Sequence, residues 1–278
     1  MTMLRGESGM TIEPFRKEDV PRFLGLAAAE NWVAEPWEFD FLLSTFPAGC
    51  LAVRDETNVA IGFVTSLRHD ASGWIGNLIV DRRHRGRGVG EALFLGALDS
   101  LRDAGVGTFW LTASNMGKAL YEKHGFNSTD TIIRWTGTVG APTGPVPVVT
   151  GMWDAGLDRL GWGDRRDGLL TATSRRGAVL AGDAAFAVIQ PCGRAVQVGP
   201  FSALSPDRAA GLLDKALNSL TFGMTVYIDA PACNHTAVSL LQERGFWDHG
   251  TNVLMYAGVK PAYRPEYIYG LATMGSCG

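Results

Sequence analysis

The chain has 278 residues, of which 46% are apolar and 19% are charged, a composition typical of a globular protein with about two domains. Its formal net charge of −3 is too small to indicate a nucleic-acid or membrane partner, and no apolar run approaches the roughly 20 residues of a membrane span. Residues 1–10 lack the apolar core of a secretory signal, so we expect a disordered N-terminus on a cytoplasmic protein.

Strand and helix patterns alternate through the first half of the chain. We predict strands at 11–15, 49–54, 60–67, 74–80 and 108–112, and helices at 17–30, 37–45, 89–104 and 117–124. The strand 74–80 is almost wholly apolar, which is typical of a strand that is buried on both faces. The helix 89–104 carries apolar residues at helical spacing, so we expect one of its faces to pack on the core.

A stretch rich in proline and glycine follows. Residues 137–151 contain three prolines and four glycines, which argues against a helix or a central strand. Because prolines stiffen an extended chain, this composition predicts a semi-rigid linker. The linker would separate a domain at 11–136 from a second domain at 152–278.

The second half repeats the pattern of the first. We predict strands at 184–190, 194–198, 224–229 and 252–256, and helices after Ser205 and at 236–244. Ser205 fits an N-cap, with Pro206 at the first helical position. Both halves end their last strand–helix unit alike, with Gly125-Phe126 in one and Gly245-Phe246 in the other. We therefore expect two copies of one domain type.

The four cysteines are widely scattered and form no CxxC pair. They are Cys50, Cys192, Cys233 and Cys277. This spacing favours neither a structural zinc site nor a disulfide framework. We therefore expect no metal, and inert thiols in a reducing compartment.

The strongest chemical signal is the segment Asp81–Gly90, which reads Asp-Arg-Arg-His-Arg-Gly-Arg-Gly-Val-Gly. It follows an apolar strand and opens an amphipathic helix. Glycines let the backbone turn tightly and approach a ligand, and the free N–H groups of a first helical turn point towards that ligand. The helix dipole and the charges of Arg85 and Arg87 would attract an anion, for which a pyrophosphate is the natural candidate.

The segment lacks both the G-x-G-x-x-G fingerprint of dinucleotide folds and the Gly-Lys-Ser/Thr of a P-loop. Arg85–Gly90 after the strand 78–80, followed in order by Asn115 and Ala119–Phe126, instead resembles the GNAT superfamily of acyl-CoA-dependent N-acetyltransferases. The resemblance covers 11–136 well and 152–278 weakly. It implies an α/β fold with a mixed sheet (α+β), in which a GNAT domain precedes a second, degenerate GNAT-like domain.

The resemblance also implies a role for each matched residue. Backbone groups of Leu78, Ile79 and Val80 would pair with the pantetheine arm of acetyl-CoA. The pyrophosphate would be held by N–H groups of Arg85, Gly86, Arg87, Gly88, Val89 and Gly90. A gap between the strands 74–80 and 108–112 would admit the thioester, and Asn115 and Lys123 would add cofactor contacts. Tyr121 would protonate the leaving thiolate as a general acid.

Several of these residues have simpler interpretations. Tyr121 could position the cofactor without transferring a proton, because a thiolate is already a tolerable leaving group. Asn115 could be a helix cap. Gly125-Phe126 fits a helix stop followed by a core anchor. The basic run at 82–87 is short and is explained by phosphate binding, so it does not indicate nucleic acid.

The base that would deprotonate the acceptor is the weakest part of the pattern. An alkylammonium with a pKa of about 10 must lose a proton before it attacks a thioester. Many GNAT enzymes use a glutamate on the strand before the cradle, but 74–80 contains no carboxylate. Asn77 is a candidate for positioning a water, and Glu30 and Glu35 are alternative bases that also fit an ordinary solvated face. No cysteine lies in either motif, so we favour direct attack in a ternary complex.

The second half keeps the strand–helix pattern of the first but lacks its candidate cofactor-binding and catalytic residues. Pro206 removes an N–H donor from the counterpart of the cradle, and Leu241 stands where the first half has Tyr121. We therefore expect 152–278 to bind no acyl-CoA and to wall the acceptor pocket. His235, Asp229 and Tyr227 could line that pocket, although each also fits a structural role.

Together these patterns predict an acetyltransferase that moves an acetyl group from acetyl-CoA to the amine of a small molecule. The alternatives are a protein N-acetyltransferase and a non-catalytic acyl-CoA sensor. Acceptor specificity resides in loops without a readable code, so the sequence does not name the acceptor.

Overall fold

The computed structural model describes residues 11–141 and 151–278. The predicted disordered start, 1–10, and most of the predicted linker, 142–150, lie outside the described residues. By residue contacts the chain forms two compact units. The first contains the residues up to Leu111 together with Gly275–Cys277, and the second contains Thr112–Met274 and Gly278.

The first unit contains four strands, most of a fifth (β5) and three α-helices among its described residues. They are β1 Thr11–Pro14, α1 Val20–Ala29, α2 Pro36–Thr45, β2 Leu51–Arg54, β3 Ala60–Arg68, β4 Ser72–Val80, α3 Val89–Asp103 and β5 Thr108–Ala113. The helix predicted from residue 17 begins as a 3₁₀ turn, and α1 follows it with Pro21 in its first turn. A missing N–H is tolerated at that position.

Strands β1 to β4 form an antiparallel meander, and β5 runs parallel to β4. On one face Phe23 of α1 packs on Phe63 of β3, with ring centroids 5.8 Å apart, and on Phe39 of α2, at 4.6 Å. Helix α3 buries its apolar stripe against β3 and β4. All but one residue of β4 are buried, which confirms the prediction of a strand enclosed on both faces.

The second unit contains the remaining described elements. They are α4 Lys118–Lys123, β6 Asn127–Thr138, α5 Ala155–Trp162, α6 Asp167–Arg176, β7 Ala178–Gly182, β8 Ala185–Cys192, β9 Ala195–Ala203, α7 Pro206–Asn218, β10 Thr225–Pro231, α8 His235–Glu243, β11 Trp247–Gly258 and β12 Ile268–Gly270. The strand order is β11-β6-β10-β9-β8-β7, with β12 antiparallel to β9. Helices α7 and α8 contribute to the main apolar core of the unit.

Strand β6 was not predicted, and it corrects the start of the linker. Gly137 and Thr138 belong to this strand, and Thr138 pairs with Thr225 of β10. A Cβ at Gly137 would lie 2.7 Å from ring carbons of Phe246, so glycine is what allows this close packing. Because β6 pairs with both β10 and β11, the division by contacts falls after Leu111 instead of at residue 136.

Helices α4 and α8 end with the same backbone geometry. Gly125 has a φ of 82° and Gly245 a φ of 76°, both in the left-handed region that favours glycine. The following phenylalanine donates its N–H back into the helix, from Phe126 to Tyr121 O and from Phe246 to Leu241 O. These endings confirm the predicted helix stops. No helix in the described ranges is long and apolar enough to span a bilayer.

Candidate active site

The turn between β4 and α3 is shaped by two glycines in the left-handed region. Asp81 starts the turn and accepts the N–H of Arg83 on its side chain. Gly86 has a φ of 73° and Gly88 a φ of 78°, and Gly88 is the N-cap of α3. A Cβ built on either glycine would meet nothing within 4 Å. Backbone strain, and not lack of space, is therefore what favours glycine here.

The turn presents a run of unused hydrogen-bond donors. The N–H groups from Gly86 to Gly90 donate to no residue of the described ranges. The exposed side chain of Arg87 likewise forms no hydrogen bond or ion pair with a described residue. Consecutive free amides at the positive end of a helix dipole, beside an unpaired guanidinium, form a site for an anion.

The side chain of Arg85 is already engaged. Its Nε donates to Val80 O at 2.9 Å and one of its terminal nitrogens donates to Glu30 Oε1 at 2.6 Å. Arg82 donates to the same carboxylate oxygen at 2.8 Å. Arg85 is thus ion-paired, but it shares the single carboxylate of Glu30 with Arg82, so this group of three side chains keeps a net positive charge beside the cradle. The Arg85 backbone N–H also has a partner, Arg82 O at 3.4 Å.

The same ion pairs argue against Glu30 as the missing base. Hydrogen bonds from Arg82 and Arg85 lower the pKa of Glu30 to about 2, so this carboxylate has little affinity for a proton at neutral pH. Glu35 is the N-cap of α2, where it takes part in a capping box with Glu38. Asp81 is held by Arg22 and Arg83, which keep its pKa well below the usual range.

A gap opens between β4 and β5, as predicted. The two strands pair only from Ser72 to Trp74, opposite Thr108–Trp110. Beyond Trp74 the edge of β4 that faces β5 is left without a strand partner. Asp81 donates its N–H to Ile61 on β3, so alternation points the backbone groups of Ile79 to β3 and those of Leu78 and Val80 to the gap. Of the three residues predicted to pair with pantetheine, only Leu78 and Val80 therefore direct backbone groups to the gap, and Ile79 does not.

Asn77 forms a bulge at the open end of this gap. Its φ is 56°, and the pairing of β3 with β4 shifts register between Phe63 and Thr65. Its N–H donates to Gly275 O at 3.3 Å. Its Nδ2 donates to Ser276 Oγ at 3.0 Å and to Thr65 Oγ1 at 3.1 Å. Sequence reasoning found Asn77 but missed Thr65 and Ser276, which carry no local signal because they reach Asn77 only through the fold.

The remaining candidates, from Asn115 onwards, belong to the second unit. Tyr121 is buried on α4, where burial raises the pKa of its phenol to about 12. Its ring lies 6.2 Å from that of Phe126. Asn115 is exposed and is not a helix cap, because Gly117 is the N-cap of α4. Lys123 is exposed at the end of the same helix.

The corresponding gap of the second unit lies between β9 and β10. These parallel strands pair only at Val196–Val226 and Gln197–Tyr227. The chain fills the rest itself: β12 pairs with β9, and Leu271 N–H donates to Asp229 O at 2.8 Å. A Cβ at Gly199 would collide with Leu271 O. The predicted N-cap and first helical residue of α7 are confirmed as Ser205 and Pro206.

Two pocket candidates of the second unit have structural contacts. Asp229 is completely buried and receives both the Nε of Arg134 at 2.8 Å and its terminal nitrogen at 2.7 Å. The Tyr227 ring lies 5.5 Å from the same guanidinium. His235 begins α8 directly after Asn234, whose side chain caps that helix. Asp229 is therefore part of a buried ion pair and does not line a pocket as an open side chain.

Comparison with known proteins agrees with this geometry. The profile of the Acetyltransferase (GNAT) family matches residues 14–126, and that of an Acetyltransferase (GNAT) domain matches residues 155–270. No curated protein matches the chain. The chain belongs to the GNAT family and contains two GNAT domains in tandem. This family uses acetyl-CoA and consists generally of acyltransferases.

Solved structures share the tandem architecture. An inferred acetyltransferase from Pyrococcus horikoshii has a TM-score of 0.85 at 24% identity, covering 100% of this chain and 99% of its own. A tandem GNAT protein from the clavulanic acid biosynthesis pathway has a TM-score of 0.60 at 16% identity, covering 91% and 99%. A glucosamine N-acetyltransferase region of a fungal multi-domain β-N-acetylglucosaminidase has a TM-score of 0.64 at 12% identity, covering 90% and 38%. At these identities the likeness shows the fold.

Proposed function

We propose that this protein transfers an acetyl group from acetyl-CoA to the amine of a small molecule. The observation that carries the proposal is the run of unpaired amides from Gly86 to Gly90, beside the unpaired Arg87. A diphosphate fits this cradle, because its oxygens accept several N–H donors at the positive end of α3. The cradle follows β4 directly, so a ligand anchored there can extend along the open strand edge.

The proposed pantetheine contacts are the backbone groups of Leu78 and the N–H of Val80, whose carbonyl oxygen already accepts from Arg85. Both turn away from β3 towards the gap, as the peptide-like arm of coenzyme A requires. Arg85 supports this edge indirectly, since its side chain holds Val80 O. Asn115 and Lys123 remain proposed cofactor contacts, and both are exposed to solvent.

We further propose that Tyr121 assists departure of the thiolate. A pKa of about 12 keeps the phenol protonated at neutral pH, which any donor role requires. An ordinary thiol has a pKa of about 8.5, so complete proton transfer from such a phenol is unfavourable. Tyr121 would therefore act chiefly by donating a hydrogen bond to the charge that develops on sulfur.

A small acceptor is favoured over a protein. The likeness in fold to a tandem GNAT protein from the clavulanic acid biosynthesis pathway and to a glucosamine N-acetyltransferase region supports this choice. A non-catalytic acyl-CoA sensor is the second candidate. One observation favours it: β4 carries no carboxylate, and Glu30 is neutralised by two arginines.

Two measurements on the purified protein test the proposal. Isothermal titration with acetyl-CoA should give one site, and a panel of small amines should release free thiol in the presence of acetyl-CoA. Binding without turnover on any amine or amino-terminal peptide would favour the sensor, and turnover on peptides alone would favour a protein acceptor. Absence of acetyl-CoA binding would overturn all three.

A further inference from the structure

Asn77 is the only polar side chain on the part of β4 that has separated from β5. Resting on the proposed function, we infer that Asn77 holds the acceptor through its side-chain oxygen, and that the acceptor is a weakly basic amine that reaches the site without its extra proton. The inference names the substrate class, which follows from the bonding of Asn77 and from the charges around it.

The orientation of the Asn77 amide is fixed by its neighbours. Thr65 has a single hydroxyl proton, which it donates to Gly76 O at 3.3 Å, so its oxygen must accept from Asn77. The second Nδ2 hydrogen goes to Ser276. Both donors are therefore used, and Oδ1 accepts from no residue of 11–141 or 151–278. The residue is only 7% exposed, and its oxygen is the one group of the side chain left for a ligand.

The backbone holds this arrangement rigid. A Cβ at Gly76 would lie 2.5 Å from the carbonyl oxygens of both Gly275 and Ser276, so the segment Gly275–Cys277 packs directly on the strand. Asn77 sits in the left-handed region, which asparagine tolerates better than most residues. The side-chain oxygen Oδ1 of Asn77 is thus held in position before any substrate arrives.

Among the described residues packed against this stretch, β3, β5, α1 and Gly275–Cys277 carry no carboxylate side chain. β5 carries no charged residue, and β3 carries only Arg68 at its exposed end. α1 brings Arg22, which is paired with Asp81, and Gly275–Cys277 brings only the buried thiol of Cys277. On α3, Asp99, Arg102 and Asp103 are exposed, and Glu91 lies in the first turn beside the cradle.

An amide oxygen accepts a hydrogen bond but does not take up a proton at ordinary pH. The neutral amine therefore attacks the thioester carbonyl, a C–N bond forms, the C–S bond breaks, and the proton lost from nitrogen ends on the thiol. No further reactant is needed. At pH 7.5 roughly a quarter of an amine of pKa ~8 is neutral, against roughly one part in a thousand for an alkylamine of pKa ~10.4. The site therefore favours amines of low basicity, such as α-amino groups.

The pH dependence of kcat/KM tests this directly on the unmodified protein. Two acceptors that the enzyme turns over, with amine pKa values near ~8 and ~10, are compared between pH 6 and 11. We expect kcat/KM to rise tenfold per pH unit and to level off at the pKa of each amine. A shared inflection at the same lower pH for both acceptors would mean that a group on the enzyme takes the proton, and it would overturn the inference.

The substitution Asn77→Asp should introduce a carboxylate that can take the proton of the amine. We expect an inflection in the carboxyl range that is independent of the acceptor, and a relative gain of about tenfold for the more basic amine. Asn58→Asp is the matched control, because Asn58 is also an asparagine in the left-handed region, with a φ of 64°, but lies in the turn before β3. Equal profiles for Asn77→Asp and wild type would overturn the role of Asn77.

Titration with acetyl-CoA separates this inference from the proposed function. Each variant is first titrated, and normal binding shows that the cradle is intact. If the wild-type protein does not bind acetyl-CoA, both the proposed function and this inference are wrong. If acetyl-CoA binds normally but the kcat/KM profiles of both acceptors share one inflection, only this inference is wrong.

Discussion

The segments from β4 to α3 and from β9 to α7 are corresponding strand–turn–helix elements of the two GNAT domains. In both, the strand is parallel to its neighbour for only two or three residue pairs before the strands separate. The first turn has left-handed glycines and a run of free amides. The second passes from β9 through Ser205 to Pro206, where the ring nitrogen has no hydrogen to offer.

The two gaps also differ in what they contain. In the second unit β12 pairs with β9, and Leu271 bonds to Asp229, so the chain itself occupies the gap. In the first, Gly275–Cys277 reaches Gly76 and Asn77 in the contacts described above, Val80 O accepts from Arg85 Nε, and the backbone groups of Leu78 and the N–H of Val80 are left without a strand partner. The same topology is thus left open in the first unit and filled by the chain in the second. We propose on this basis that the second domain binds no acyl-CoA.

The largest expected effect concerns the buried charge of the second unit. Asp229→Asn should destabilise the protein by about 3–5 kcal/mol, because it leaves the largely buried guanidinium of Arg134 without its counterion. The first-unit counterpart is Glu30→Gln, which breaks the more exposed ion pairs with Arg82 and Arg85. There we expect about 0–1 kcal/mol. Urea unfolding of both variants measures the difference.

The pH dependence of stability tests the ion pairs of Glu30 with Arg82 and Arg85. The folded pKa of Glu30 is lowered to about 2, so its contribution should be present above the unfolded value of about 4.3 and fade as the pH falls towards 2. Wild type and Glu30→Gln should therefore converge in acid. If Asp229→Asn and Glu30→Gln lower the free energy of unfolding equally at neutral pH, the buried ion pair of Asp229 with Arg134 does not have the structural role assigned to it.

The next effect tests the cradle. Gly88→Val should weaken acetyl-CoA binding by about 100-fold or more, close to 3 kcal/mol, because a β-branched residue does not adopt a φ of 78° and the free amides would turn away. Gly105→Val is the matched control: Gly105 has the same φ of 78° and the same empty surroundings, at the other end of α3. Both variants should lose about 1–3 kcal/mol of stability from strain.

Only Gly88→Val should lose the ligand. Calorimetric titration gives the affinity, and thermal unfolding shows whether the two substitutions strain the fold equally. If both variants bind acetyl-CoA as wild type does, the amides near Gly88 are not the diphosphate site. If both lose binding, the effect is one of general instability, and the comparison of the two turns fails.

Sequence patterns predicted the first unit well because its strands and helices are local and strongly periodic. The Arg-x-x-Gly-x-Gly segment also located the cradle, since its backbone conformation is encoded in adjacent residues. Strand β6 was missed because its sequence mixes polar and apolar positions, and its strand geometry depends on pairing with β10 and β11. Helices α5 and α6 were missed as well, lying between the linker and the first clear strand of the second half.

Ion pairing was the main obstacle to predicting the candidate site. Arg85 and Glu30 each had a plausible chemical role on sequence grounds, and each is occupied by the other. A separation of 55 positions hides this pair from any local pattern. The contact of Ser276 with Asn77 spans 199 positions, and it uses the second Nδ2 hydrogen of Asn77. Local motifs thus located the cradle, but long-range contacts determine which side chains remain available for chemistry.

The last predicted effect compares two buried tyrosines, Tyr121 with its proposed role in thiolate departure and Tyr269 with a structural role. Tyr121→Phe should lower kcat about tenfold, about 1.4 kcal/mol, and leave the Kd for acetyl-CoA unchanged, because the hydroxyl would act only on the departing thiolate. Tyr269→Phe is the matched control, a buried tyrosine of β12 whose ring lies 5.3 Å from that of Phe201. It should leave kcat unchanged, since it lies in the gap that the chain itself fills. A weaker Kd at constant kcat for Tyr121→Phe would make that hydroxyl a binding contact, and an equal fall in kcat for both variants would make the effect structural.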